Sequence, residues 1–322
     1  MKDFSGRIAV ITGGGTGMGR ELARQLVAEG CNVAMCDVSA ANMEKTRSLC
    51  LEAAPQGARV TTFLADVSDA AAIERFRDAT AREHETDRIH LLFNNAGIGG
   101  GGSFVAGERA EWERTFNVCW GGVYNCARAF MPMLVAADEA HIVNTSSVNG
   151  FWASIGPGIP HTAYAAAKFA VKGFSEALLT DLSVNAPHVK CSVVMPGHIG
   201  TDIVANSRKV LSGQESETLD SAAIAQSRRV MAARGIDAAA LTDEQIQALS
   251  AEMARRFRDD APTTAAQAAT IILDGVRDER WRILVGDDAH VIDDMVRTEP
   301  EAAYETAFFQ RLAEKARWRL GV

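Results

Sequence analysis

Basic charge is scarce in this chain. Its 322 residues carry 33 Lys and Arg against 41 Asp and Glu, a formal net charge of -8 at pH 7. A duplex-binding surface needs clustered cations to neutralise phosphates, so no nucleic-acid partner is expected. Long apolar runs are missing too. Ahead of Thr12 the N-terminal segment holds four consecutive apolar residues, Ile8 to Ile11, too few for a signal peptide, and no later stretch approaches a membrane span. The expectation is a cytoplasmic protein with no membrane partner. The six cysteines, at 31, 36, 50, 119, 126 and 191, form no CxxC pair and mostly lie inside apolar segments. That pattern suits reduced, buried thiols and supplies no metal-ligand set. The eight prolines form no rich tract, so no linker divides the chain. Tyrosine is the rarest aromatic, with three residues.

What the chain does have is alternation. With 47% hydrophobic and 23% charged residues it is long enough to bury a large core. Short runs rich in Val, Ile and Leu ("RIAVITG", "NVAMCD", "ARVTTFLAD", "RIHLLFNNAG", "HIVNTSS", "KCSVVMPG", "RILVG") alternate with amphipathic stretches of helical length. The pattern predicts a doubly wound α/β domain whose seven-stranded, mostly parallel sheet is covered by helices on both faces. Gly30 stands where a helix should stop. Residues 202–262 carry Ala, Arg and Glu without a strand signal and read as a helical insertion, within which Thr242 and Gln245 form a capping box. The stretch from Glu299 to Val322 reads as one further helix, and all 322 residues as a single domain.

The first strand ends in "TGGGTGMG", Thr12 to Gly19, directly before a helix. Glycines there let the backbone approach a diphosphate, whose charge meets open N–H groups and the positive end of the helix dipole. Asp37 ends the second strand about twenty residues on, where a carboxylate accepts hydrogen bonds from both hydroxyls of an adenine ribose and repels a 2′-phosphate. Neither Val38 nor Ser39 offers a compensating cation, which favours NAD over NADP; the simpler reading of Asp37 is a cap on the next helix. Tyr164 and Lys168 lie four places apart in an Ala-rich helix, hence on one face, where an ammonium favours a phenolate. Tyr124 and Arg128 share that spacing, so the pair alone is no site.

Together these motifs, in order, resemble the short-chain dehydrogenase/reductase family over the first two hundred residues and again at the last strand. The resemblance implies a Rossmann fold and NAD as cofactor, with contacts from Gly13, Thr16, Gly17, Met18 and Gly19 in the loop and from Asp37. It adds Asp66 and Val67 of "ADV", Asn95, Ala96 and Gly97 of "NNAG", and Pro196, Gly197, Ile199 and Thr201 of "PGHIGT". It implies four catalytic residues. Tyr164 is the general acid/base, Lys168 lowers its pKa and binds the nicotinamide ribose, Ser147 holds the substrate oxygen, and Asn117 keeps a water linking the site to solvent. Ser146 is the alternative to Ser147.

Two departures from the family fall on the substrate side. Ser147 and Tyr164 are seventeen positions apart, longer than usual, with the extra residues in "FWASIGPGIPHTA". Pro and Gly there suit a projecting loop, and Phe151, Trp152 and Ile155 an apolar lining. The 202–262 insertion reads as an enlarged substrate lid. His198 reads as an exposed loop histidine, with proton transfer the lesser alternative. The expected activity is NAD-dependent interconversion of a mainly apolar secondary alcohol and its ketone, by a homodimer or homotetramer. The rivals are a dinucleotide sensor without turnover and a sugar-nucleotide epimerase or dehydratase.

Overall fold

In a computed structural model the seven Val/Ile/Leu-rich runs form one sheet. The structure describes all residues except 56, 214–218, 220, 234–236, 317, 319 and 321–322, and the side chains at 222, 226, 230 and 233. The strands are β1 (Ile8–Thr12), β2 (Asn32–Asp37), β3 (Val60–Leu64), β4 (Leu91–Asn94), β5 (Ala140–Thr145), β6 (Val189–Pro196) and, after a two-stranded ladder of β7 (Ile199–Gly200) and β8 (Thr263–Thr264), β9 (Arg282–Val285). Their order is β3-β2-β1-β4-β5-β6-β9, and every neighbouring pair is parallel. The chain winds outward from β1 to β3, then restarts on the other side of β1 with β4. The carboxyl ends of β1 and β4 therefore flank the switch point, where open α/β sheets bind ligands.

Helices α1 (Gly17–Ala28), α2 (Ala40–Ala53), α3 (Ala70–Glu83), α4 (Arg109–Phe116), α5 (Gly122–Val135) and α6 (Thr162–Asn185) alternate with the first six strands. One face of the sheet packs on Phe76 of α3, Phe130 and Leu134 of α5 and Leu178 and Leu182 of α6. The other packs on Leu22 and Leu26 of α1 and on Ile272 and Leu273 of a helix over Ala265–Arg277. Gly30 has φ +84°, the left-handed conformation expected past the end of α1.

The 202–262 insertion is helical: α7 (Ile203–Ser212), α8 (Ser221–Ala233) and α9 (Asp243–Asp259). Met231, Ala238 and Ile246 give it a small core of its own. The capping box at the start of α9 is present, with the Gln245 N–H donating to Thr242 Oγ1 at 3.3 Å and the Thr242 N–H to Gln245 Oε1 at 2.8 Å. The helix over Ala265–Arg277, α10, has a second capping box at Thr264 and Gln267 and is followed after β9 by α11 (Asp287–Thr298). Beyond it the chain departs from the single helix expected from Glu299. Turns occupy 300–304, and among the described residues of this stretch only Thr306–Lys315, α12, is helical.

The largest departure concerns the segment expected to project. Trp152 is 1% exposed and packs with Phe308, Phe309, Leu312 and Trp318 in a third core, against which Phe151 also rests. The indole N–H of Trp152 donates to the Ala303 carbonyl at 2.8 Å, and that of Trp318 to the Ile155 carbonyl at 3.2 Å. The two elements that the chain adds, the long loop and the C-terminal tail, cover each other. Trp152 is thus a core residue, and half-buried Phe151 packs against the same core.

Candidate active site

The glycine loop turns from β1 into α1 under tight packing. Gly13 has φ +67°, and a Cβ on Gly19 would lie 2.1 Å from the Gly13 carbonyl oxygen, so no larger residue fits there. Thr16 is the N-cap of α1, yet its side chain caps nothing, which leaves the first-turn N–H groups open to an anion. Its hydroxyl instead accepts from Asn206 Nδ2 of α7 at 3.0 Å. The neighbouring Ser207 hydroxyl accepts from the Gly99 N–H at 2.7 Å, so α7 lies across both strand ends. Beneath α7 is a cavity of about 440 Å³ lined by Gly13, Thr16, Gly17 and Met18, by Asp37, and by Asp66, Val67, Asn95, Ala96, Gly97 and Thr201.

Asp37 does not cap α2; Ser39 does, accepting from the Asn42 N–H at 3.4 Å. One Asp37 oxygen accepts from the Gly15 N–H and the other from the Ser39 N–H, each at 3.0 Å. That fixes the carboxylate on the cavity wall with lone pairs to spare for two hydroxyls. Arg20, the cation beside the loop, is engaged by the Gly15 carbonyl and Thr46. Asp66 is held by Arg114 at 2.6 Å. Burial pushes its carboxyl up, but hydrogen bonds from Arg114 and Ser68 outweigh this and hold it below the usual carboxylate value. Thr12 ties "NNAG" to β1, its hydroxyl accepting from the N–H groups of Asn95 and Ala96 at 3.0 Å each.

Three of the four predicted catalytic residues converge. Ser147, just after β5, is 7% exposed and accepts from the Asn149 N–H at 3.1 Å, which leaves its own proton to donate. Ser146 is turned the other way, donating to the Lys168 carbonyl at 2.7 Å. Lys168 is 2% exposed; its ammonium donates to the Thr145 carbonyl at 2.8 Å and lies 5.4 Å from the Tyr164 ring centroid. Burial raises the Tyr164 phenol pKa well above its usual value, against the lowering effect of the Ser147 hydrogen bond, and burial lowers that of Lys168. In this state the phenol is protonated at neutral pH.

Asn117 is the exception. It opens a π-helical turn, Asn117–Gly121, between α4 and α5, and it is exposed. Its carbonyl accepts from the Gly122 N–H. The residue of this turn that faces the cluster is Cys119, whose thiol donates to the Ile98 carbonyl at 3.1 Å. A Cβ on Gly97 would lie 3.7 Å from that sulfur and 3.5 Å from Lys168 Nζ. Such widened turns concentrate at functional sites.

The "PGHIGT" segment contributes Thr201 to the cavity, while Pro196, Gly197 and Ile199 hold the segment in place. The Gly197 N–H donates to the Val285 carbonyl at 3.0 Å, and Ile199 is 5% exposed. His198 is not the exposed histidine expected. It is 4% exposed, with Nε2 2.7 Å from the Phe257 carbonyl of α9 and its ring against that of Phe257. Its N–H donates to the buried carboxylate of Asp288 at 2.6 Å, a residue of α11 that the sequence did not single out. Burial raises the Asp288 pKa, opposed by the two backbone N–H groups from His198 and Ala289.

A groove at the switch point, floored by a glycine loop, with Ser147, Tyr164 and Lys168 gathered beside its Gly97 wall, is the setting in which the comparisons fall. Residues 7–212 match the family model described as short chain dehydrogenase. The chain belongs to the short-chain dehydrogenase family. It is 34% identical over 297 residues to the oxidoreductase SadH of Mycobacterium tuberculosis, covering 92% of each chain. It is 35% identical over 213 residues to levodione reductase of Leifsonia aquatica, covering 65% of this chain and 75% of that one. Among solved structures, it superposes on a short-chain dehydrogenase/reductase of Burkholderia phymatum in complex with NAD, with TM-score 0.74 and 29% identity over 94% of this chain and 95% of that one. That span is longer than residues 7–212.

Proposed function

We propose that this short-chain dehydrogenase is an NAD-dependent oxidoreductase that interconverts a mainly apolar secondary alcohol and its ketone by hydride transfer. The observation that carries this reading is the convergence of buried Ser147 and Lys168 with half-buried Tyr164, beside the groove at Gly97. NAD, when bound, supplies the hydride acceptor. The open N–H groups at the start of α1 hold its diphosphate, and Asp37 accepts from the two adenine-ribose hydroxyls and repels a 2′-phosphate. Ser147 donates to the substrate oxygen. Tyr164 exchanges a proton with that oxygen as its charge changes, the role for which a positioned phenol serves as acid and base. Lys168, whose ammonium donates to the Thr145 carbonyl, would hold the nicotinamide ribose. Asn117 acts through its backbone, since its side chain faces solvent.

The apolar character of the substrate is supported by Ile98, Val118, Ile203 and Val210, which line the groove near Gly97 and under α7. Exposed Tyr124 on α5 and exposed Phe169 and Val184 on α6 support a homodimer or homotetramer formed across those helices. The test is reduction of NAD or NADP by purified protein over secondary alcohols from small aliphatic to steroid. Turnover with NAD on bulky members supports the reading; NADP-only turnover, or none on any alcohol while NAD binds, contradicts it.

A further inference from the structure

Three residues before Tyr164 stands a histidine that neither the fold nor the proposed chemistry uses. His161 is the N-cap residue of α6, yet its side chain makes no capping hydrogen bond. Its ring lies instead against Tyr164, with centroids 4.7 Å apart and planes tilted by 34°. It is partly exposed, and neither imidazole nitrogen has a hydrogen-bond partner among the described residues. Burial pushes its pKa down to about 4, so at neutral pH the ring is uncharged, with one N–H to donate and one nitrogen to accept.

The backbone on both sides of His161 is clamped. Upstream, Asn149 Nδ2 donates to the carbonyls of Trp152 at 2.9 Å and Ser154 at 2.7 Å, and the tail holds Trp152 and Ile155. Downstream, the N–H groups of Thr162 and Ala163 donate to the carbonyls of Gly102 at 3.0 Å and Gly101 at 3.1 Å. The anchored start of α6 therefore places an imidazole against the phenol, where it can meet a substrate atom next to the reacting one. A purely hydrocarbon substrate seated there would strip water from both nitrogens without replacing it, and sites of that kind discriminate against ligands lacking the matching polar atom.

Resting on the alcohol-oxidising reading above, we propose that His161 is a specificity-determining residue that hydrogen-bonds a second, uncharged oxygen of the substrate, close to the reacting carbon. The preferred substrate class is then a diol or hydroxy-ketone on an otherwise apolar skeleton. The test compares cyclohexanol with the cyclohexane-1,2-diols, using NAD and three proteins: wild type, His161→Phe, which keeps a ring against Tyr164, and His161→Gln, which keeps a donor and an acceptor. The wild type should favour a diol about tenfold or more in kcat/KM. His161→Phe should abolish that preference while changing cyclohexanol by no more than about twofold, and His161→Gln should restore part of it. A structural role alone would lower both substrates together. An unchanged ratio in His161→Phe, or equal use of both substrates by the wild type, overturns the assignment of His161 alone. A wild type that oxidises neither of these nor any alcohol from small aliphatic to steroid, while NAD binds, overturns the alcohol-oxidising reading and this inference with it.

Discussion

Replacing Trp152 by Ala tests whether the long loop and the tail stabilise each other. The indole is 1% exposed; its ring centroid lies 6.3 Å from those of Phe308 and Phe309 and 6.2 Å from that of Trp318, and its N–H meets the Ala303 carbonyl. Burying a large aromatic removes about 150–250 Å² from water. At about 25 cal/mol per Å² this gives an upper bound of roughly 4–6 kcal/mol. Truncations of this type cost about 3–5 kcal/mol, which includes the cavity left behind. The third core is peripheral to the sheet, so the loss should appear as local opening of the tail before global unfolding. Native-state hydrogen exchange reads this directly. A loss of 3 kcal/mol is about a hundredfold, so amides of α12 should exchange about a hundredfold faster or more, with those of β1 and β4 unchanged. Trp152→Phe, which loses the hydrogen bond and part of the ring, should lie between. Unchanged exchange in α12 on Trp152→Ala would refute the packing of tail on loop.

Two other consequences follow from single side chains. Asp37→Ala should weaken NAD binding about 10- to 100-fold, the worth of hydrogen bonds to a charged group, and weaken NADP less; titration calorimetry showing equal losses would remove the ribose contact. His84 has its pKa pushed down to about 4 by burial, with a smaller contribution from Arg59. A depressed folded value means that the stabilisation is present above the unfolded value near 6.5 and is lost as pH falls through 4. It amounts to at most about 3 kcal/mol, and nearer 1 with solvent screening. His84→Gln, able to keep the bond to Thr61, should flatten the fall in urea midpoint over that range, and an unchanged slope would assign the acid lability elsewhere.

The seven strands were legible because strands buried on both faces of a parallel sheet read as unbroken apolar runs. The glycine loop and Asp37 were read from their places at the ends of β1 and β2, and Ser147, Tyr164 and Lys168 from the resemblance to the family, since the Tyr/Lys spacing alone marks no site. Helix α10 was not singled out, although Ala268, Ala269, Ile272 and Val276 bury one face of it and a capping box opens it; the β-branched run in "ATIIL" masks the helical spacing. Partners distant in sequence were not legible at all. Trp152 is read differently once Ala303 and Trp318 cover it, and His198 once Asp288 and Phe257 do. Asn117 illustrates a further limit, since regular helical spacing cannot show that a π turn rotates it outward and Cys119 inward.

The measurement that tests the central claim most directly is steady-state reduction of NAD by Tyr164→Phe on any alcohol the wild type oxidises, with NAD affinity measured alongside. Removing a positioned acid/base should lower kcat about 10²- to 10⁴-fold and leave NAD affinity unchanged. Turnover by Tyr164→Phe within a few-fold of wild type would contradict the role given to Tyr164 and, with it, the proposed chemistry of the site.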